Sequence, residues 1–228
     1  MSKIKILWLS CMVLGIVMVL QFTLIFWLYP SRTTDQTQNL TVVLDAGHGG
    51  IDNGVVGKVT GVNESDLNLK MCRLIEKQLK NRGVKVELTR KDYGGLYGSL
   101  SAGFKRRDME KRREIIKAVK PDLVISIHMN KFPMSYRSGP QVFYQKGDED
   151  SILFAQCMQS ALNNFTGNKH ASLAGDYFIL KCIEKPSIIV ECGFLSNADD
   201  EAKLNNETYR QQLSEHIVRG IFVYLYSL

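Results

Sequence analysis

Leu40-Thr41-Val42-Val43-Leu44 is an apolar, β-rich run, and Asp45-Ala46-Gly47-His48-Gly49-Gly50 ends it in a glycine-rich turn. Such a run reads as a buried strand with a loop at its carboxyl end. Leu123-Val124-Ile125-Ser126-Ile127-His128 and Ser187-Ile188-Ile189-Val190-Glu191-Cys192 repeat the pattern, each running out into a polar side chain. Between the first two lies a helical stretch. Asn63 or Ser65 can cap it, Leu67, Met71, Leu74, Ile75 and Leu79 recur at helical spacing, and Arg82-Gly83 closes it. Residues 84–88 read as a second strand and the glycine-rich residues 93–103 as a loop. Residues 105–120 form a charged helix with Met109, Ile115, Ile116 and Val119 inward, stopped by Pro121. Residues 140–145 and 177–182 read as further strands. Residues 150–164 and a stretch from about Glu207 read as helices. Near-continuous apolar strands alternating with helices predict an α/β fold: a mainly parallel sheet covered by helices on both faces.

The chain has 228 residues, 45% hydrophobic and 23% charged, which excludes wholesale disorder. Its apolar residues are uneven. Ile6 to Tyr29 holds no charged side chain over 24 positions, enough for a helix to cross a hydrocarbon core of about 30 Å. Lys3 and Lys5 precede this run, and Trp8, Trp27 and Tyr29 mark its ends. Basic flanks stay in the cytoplasm and aromatic rings sit at the interface, so the expected topology is N-terminus in and domain out. No small-x-small cleavage site follows, which favours an uncleaved signal anchor over a signal peptide. The expected organisation is a cytoplasmic start and transmembrane anchor over 1–30, a polar linker over 31–39 and one catalytic domain over 40–228. Of the formal charge of +6, residues 1–40 carry +2, and the exported domain keeps +4. A mildly basic exported domain suits an anionic polymer or surface; without a basic-aromatic motif, nucleic acid is not an expected partner. Cys72, Cys157, Cys182 and Cys192 fall mostly in apolar periodic segments, and the expectation is free thiols.

His48, His128 and Glu191 all sit where apolar strands run out, and ligands bind in open α/β sheets in the crevice beyond those ends. Glu64, at the start of the first domain helix, faces the same edge. Two histidines and one carboxylate suit zinc, and catalytic zinc sites use three protein ligands with one position left for water. A further carboxylate then moves the proton of that water. His48, Glu64 and His128 as ligands and Glu191 as base fill those roles. Taken singly, each residue reads equally as a polar side chain at a sheet rim, and Glu64 as a partner of the helix dipole.

Three ordered stretches settle between these readings. V-V-L-D-A-G-H-G-G-I-D-N-G over residues 42–54, S-I-H-M-N over 126–130 and V-E-C-G-F-L-S-N over 190–197 resemble the signatures of the zinc-dependent N-acetylmuramoyl-L-alanine amidases, the amidase-3 family. L-T-R-K-D over 88–92 and M-E-K-R over 109–112 also resemble the family pattern. The resemblance implies a roughly six-stranded sheet and hydrolysis of the amide joining the lactyl group of N-acetylmuramic acid to L-alanine in peptidoglycan. It implies one zinc ion on His48, Glu64 and His128, with Glu191 as catalytic base. The anchor and the helix around Arg106 to Ile116 look most like the sporulation members. Those act in spore cortex formation, before muramic lactam is made, which would place the domain in the forespore intermembrane space.

Met129, Lys131, Cys192 and Lys117 depart from the family pattern, and none of their side chains is expected to touch a proposed ligand. Arg90 and Arg112 could hold a substrate carboxylate in a guanidinium fork, and Asn130 is a further candidate for substrate binding. Ordinary ion pairs are an equal reading of the two arginines. His170 could reach the cleft, and His216 reads as structural. Between His128 and Glu191 there is no room for an inhibitory helix beyond the elements already assigned. Control from outside is therefore expected, through place, timing, zinc supply or an activating protein partner. Two other functions remain: a zinc peptidase acting on stem peptides, and a wall-binding protein with a dead site.

Overall fold

A computed structural model describes residues 39–228 and, before them, Met12, Gly15 and Met18. Apart from Met12, Gly15, Met18 and Asn39, the expected anchor and linker lie outside the described residues. Among those described, no helix is long and apolar enough to cross a membrane.

The described residues form six strands: β1 (Thr41–Ala46), β2 (Lys85–Leu88), β3 (Leu123–Asn130), β4 (Gln141–Tyr144), β5 (Leu173–Ala174) and β6 (Ser187–Phe194). Five helices accompany them: α1 (Glu64–Lys80), α2 (Phe104–Val119), α3 (Glu149–Thr166), α4 (Ala198–Asn205) and α5 (Glu207–Leu225). The sheet order is β2-β1-β3-β6-β4-β5. Every pairing is parallel except β4 with β6. The expected mainly parallel α/β architecture is therefore present.

The strands alternate with period two, and their two faces feed two cores. Val42, Leu44, Ile125, Ile127, Ile188 and Val190 join the larger one with Leu67, Met71 and Ile75 of α1, Phe154 and Met158 of α3, and Leu213, Ile217 and Ile221 of α5. Val43, Val124 and Ile189 point the other way and pack on Ile116 of α2 with Ile179, Leu180 and Cys182. Burying a Leu, Ile or Val side chain is worth about 1.5–3 kcal/mol, so this alternation fixes the register of the three central strands.

Three details differ from expectation. Residues 177–182 are not a strand: Phe178–Lys181 make one 3-10 turn. The edge of β4 is taken instead by Leu173–Ala174. A short helix, α4, intervenes before α5 because Asn197 caps it, accepting from the backbone of Asp199 and Asp200. Neither candidate cap of α1 acts as one; Asn63 occupies the cap position without a side-chain bond, and Glu64 opens the helix. All four domain cysteines are free, and Cys72, Cys182 and Cys192 are buried.

Candidate metal centre

Strand register brings His128 and Glu191 together. β3 and β6 pair with His128 opposite Glu191, and both follow the alternation that sends Val124 and Ile189 to the smaller core. His48 arrives from the turn after β1. Its φ is 62°, a left-handed conformation rare for a residue with a side chain. Holding it there costs on the order of 1–3 kcal/mol, and Arg112 offsets that by donating from Nη2 to the His48 carbonyl at 2.6 Å. Two glycines make room: a Cβ on Gly47 would lie 2.1 Å from His128 Cε1, and one on Gly54 would lie 2.4 Å from Glu64 Oε2.

Glu64 folds back over the start of α1. Its Oε1 lies 2.9 Å from His128 Nδ1 and 3.3 Å from His48 Nε2. The same oxygen accepts from Met129 N at 3.1 Å and Asn68 Nδ2 at 3.3 Å, and Oε2 accepts from Val55 N at 2.7 Å. One ligand atom from each of His48, Glu64 and His128 lies within 4.8 Å of the others, a group that could hold a metal ion.

The electrostatics favour a cation there. Burial alone would raise the Glu64 pKa, but both imidazoles hold it well below the usual carboxylate range. Burial alone would lower that of His48, but Glu64 and Asp52 overcome it and push the imidazole up to about 9. A field that retains a proton on His48 at neutral pH also attracts a divalent ion, which must displace that proton.

Glu191 has the opposite surroundings. Its Oε2 is buried without a hydrogen-bond partner. Burial raises its pKa to about 7, with Glu64 adding to the rise and the two imidazoles opposing it. A carboxylate poised near neutrality beside a three-ligand group can exchange protons with whatever sits on that group.

His48, His128 and Glu191 line a cleft of about 290 Å³. The apolar part of its lining is Phe104, Met109, Tyr177, Phe178, Ile179 and Ile189. Sequence reasoning missed this lining, because residues 177–182 scan as a strand. It also missed Asp52, whose Oδ2 lies 3.0 Å from His48 Nδ1. The available signal was a carboxylate four positions after the histidine in the same glycine-rich turn.

Arg90 and Arg112 belong to the wall beneath the site, which corrects the expectation of a substrate fork. Arg112 bonds Asp45, Asp108 and the carbonyls of Ala46 and His48, and is 1% exposed. Arg90 bonds the carbonyls of Ala46, Gly47, Ser65 and Asp92, and is 2% exposed. Asn130 lies past a register shift in β3, its Oδ1 accepting from Lys131 N. His170 faces the Ser138 carbonyl at 3.0 Å and does not line the cleft. His216 stacks on Phe165, in keeping with a structural role.

A profile of the family described as N-acetylmuramoyl-L-alanine amidase matches residues 42–222. A germination-specific N-acetylmuramoyl-L-alanine amidase of Bacillus subtilis is 30% identical over 188 residues, covering 80% of this chain and 78% of that one. Among solved structures, the CwlD amidase of Clostridioides difficile, in complex with the GerS lipoprotein, is 34% identical with a TM-score of 0.79. That match covers 83% of this chain and 100% of the other. The catalytic domain of the amidase CwlV from Paenibacillus polymyxa is 30% identical with a TM-score of 0.71, covering 82% of this chain and 98% of that one.

Proposed function

Because the chain belongs to the N-acetylmuramoyl-L-alanine amidase family and is an amidase acting on peptidoglycan, we propose that its cofactor is one zinc ion on His48, Glu64 and His128 and its general base is Glu191. The observation that carries this reading is the pairing of a two-imidazole, one-carboxylate group with an unpartnered buried carboxylate on the adjacent strand. The donor set fits zinc, which catalytic sites hold with three such ligands and an open position. Bound there, zinc would polarise the amide carbonyl and lower the pKa of a water to about 7.

The chain's own residues do the rest. His48, Glu64 and His128 fix the place of the reaction at the carboxyl ends of β1 and β3 and the start of α1. The carbonyl to be attacked is the lactyl carbonyl of N-acetylmuramic acid. Glu191 takes the proton of the attacking water and delivers it to the departing nitrogen of L-alanine. Its pKa of about 7 suits both transfers. The carbon–nitrogen bond breaks, leaving a carboxyl group on the glycan and a free amine on the peptide. Tyr177 and Phe178 offer the apolar side of the cleft to the substrate.

The likeness to a germination-specific amidase and to CwlD supports a role in spore cortex maturation, ahead of muramic lactam formation. The apolar, uncharged run over residues 6–29 supports a membrane anchor with the domain outside the cytoplasm. CwlD is complexed with a lipoprotein, and a protein partner of this chain belongs to the same reading. Zinc dependence is tested by chelation. Treated enzyme should lose peptidoglycan hydrolysis and regain it with zinc, and full activity after complete metal removal would overturn the assignment.

A further inference from the structure

Asp52 touches a member of the proposed metal group without belonging to it. Its Oδ2 lies 3.0 Å from His48 Nδ1, and His48 Nε2 faces Glu64 Oε1 at 3.3 Å. A neutral imidazole carries one N–H and one lone pair, and an ionised carboxylate can only accept. Both nitrogens face a carboxylate, but a cation on the proposed group needs the lone pair of Nε2, so the hydrogen of a metal-bound, neutral His48 belongs on Nδ1, toward Asp52. The lone pair is left on Nε2, the nitrogen that points into the group.

Asp52 is itself held in place. Its backbone pairs both ways with Gly49, at 2.9 and 3.1 Å, which closes the turn that carries His48. Gly54 N donates to Oδ1 at 3.4 Å, and Lys105 Nζ lies 3.4 Å from the same oxygen. Asp52 thus has one oxygen for the histidine and another fixed by its own surroundings. His48 needs such a restraint because its backbone is left-handed, at φ 62°, in a loop of glycines. Arg112 secures the carbonyl of His48 but leaves the ring free to rotate about its side-chain torsions.

We propose that Asp52 is a positioning residue of the metal centre, fixing the tautomer and ring orientation of His48, with Lys105 steadying the outer oxygen of its carboxylate. The inference rests on the zinc reading above. Carboxylates behind histidine ligands raise ligand basicity, and their loss typically costs about 10–100-fold in metal affinity. Lys105 is exposed and makes a single contact to Asp52, so its removal should weaken affinity by no more than about threefold.

The test is zinc affinity, measured on the full-length chain in detergent by competition with a chromophoric chelator. Imidazole nitrogen NMR of the zinc-loaded protein provides a second readout. Asp52→Ala should bind zinc about 10–100-fold more weakly and lose the slowly exchanging His48 Nδ1 proton. Asp52→Asn keeps the shape and an acceptor but not the charge. It should lose affinity several-fold and move the Nδ1–H resonance, and it carries the test if the alanine variant does not fold. Wild-type affinity together with an unmoved Nδ1–H resonance in either variant overturns the proposal. His48→Ala separates this failure from a wider one. If His48→Ala loses zinc while the Asp52 variants keep it, the role of Asp52 falls alone; if His48→Ala also binds normally, the metal-centre reading falls with it.

Discussion

Glu191→Gln removes a buried charge and a base in one step, and the two effects have opposite signs. The side chain projects from β6 with His128 opposite on β3 and Gln141 opposite on β4. Its Oε2 has neither solvent nor a partner. Burial therefore moves the pKa from 4.5 to about 7 in the folded protein. The folded state then holds this proton more tightly than the unfolded chain does. The wild type loses stability as pH rises from about 4.5 to 7, and the loss is complete above 7. At about 1.4 kcal/mol per pKa unit the full penalty is about 3 kcal/mol. Partial solvent access and the cost of burying an amide reduce the gain for glutamine to about 1–2 kcal/mol. In a domain of this size that raises Tm by about 3–6 °C. Melting of metal-free fragment 39–228, which contains both hydrophobic cores, should show the variant ahead by that margin at pH 8. The lead should shrink to about a quarter at pH 5. The same variant should lose about 10²–10⁴ in turnover while keeping its zinc. A Tm gap that is absent, reversed or independent of pH would refute the electrostatic argument, and near-normal turnover would refute the role of base.

Gly47→Ala puts a methyl group 2.1 Å from His128 Cε1, so the ring must move; zinc affinity by chelator competition should fall at least about tenfold with the fold retained by circular dichroism. Arg112→Met leaves the Asp45 carboxylate buried and unpaired, which should cost about 3–5 kcal/mol in urea unfolding at pH 7. Burial opposes the low pKa of Asp45, but Arg112 and the hydroxyls of Ser126 and Thr89 hold it at about 2; without the arginine, burial raises it, so the difference should narrow progressively as pH falls from the variant's higher pKa toward 2. Zinc must displace the proton that Glu64 and Asp52 retain on His48, against burial, up to about pH 9. Apparent zinc affinity should therefore rise about tenfold per pH unit between 7 and 9, and a flat profile would count against the shared carboxylate.

The central sheet was legible because its code is local. Leu123 to Ile127 and Ser187 to Val190 are nearly all apolar, and each ends in a polar residue at the edge where the site forms. Register then places His128 opposite Glu191. The 177–182 segment was misread because Ile179 and Leu180 are as apolar as a strand residue. They bury against α2 and β6, and the edge of β4 is already taken by β5. The roles of Arg90 and Arg112 were hidden for a different reason. Their partners lie 25 to 67 positions away, apart from Asp92 and Asp108 close by in sequence. An arginine motif looks the same whether its fork meets a substrate or the carbonyls of a turn. Burial separates the two, and burial here follows from how α2 packs over β1.

The most direct test of the account is the bond that is cut. Purified peptidoglycan digested by the zinc-loaded enzyme should yield peptides with a free L-alanine amine and glycan strands bearing unsubstituted lactyl carboxyls, both identified by mass. Glu191→Gln and His128→Ala should each yield neither. Peptides cut within the stem, with L-alanine still joined to muramic acid, would contradict the assignment of this cleft as an N-acetylmuramoyl-L-alanine amidase site.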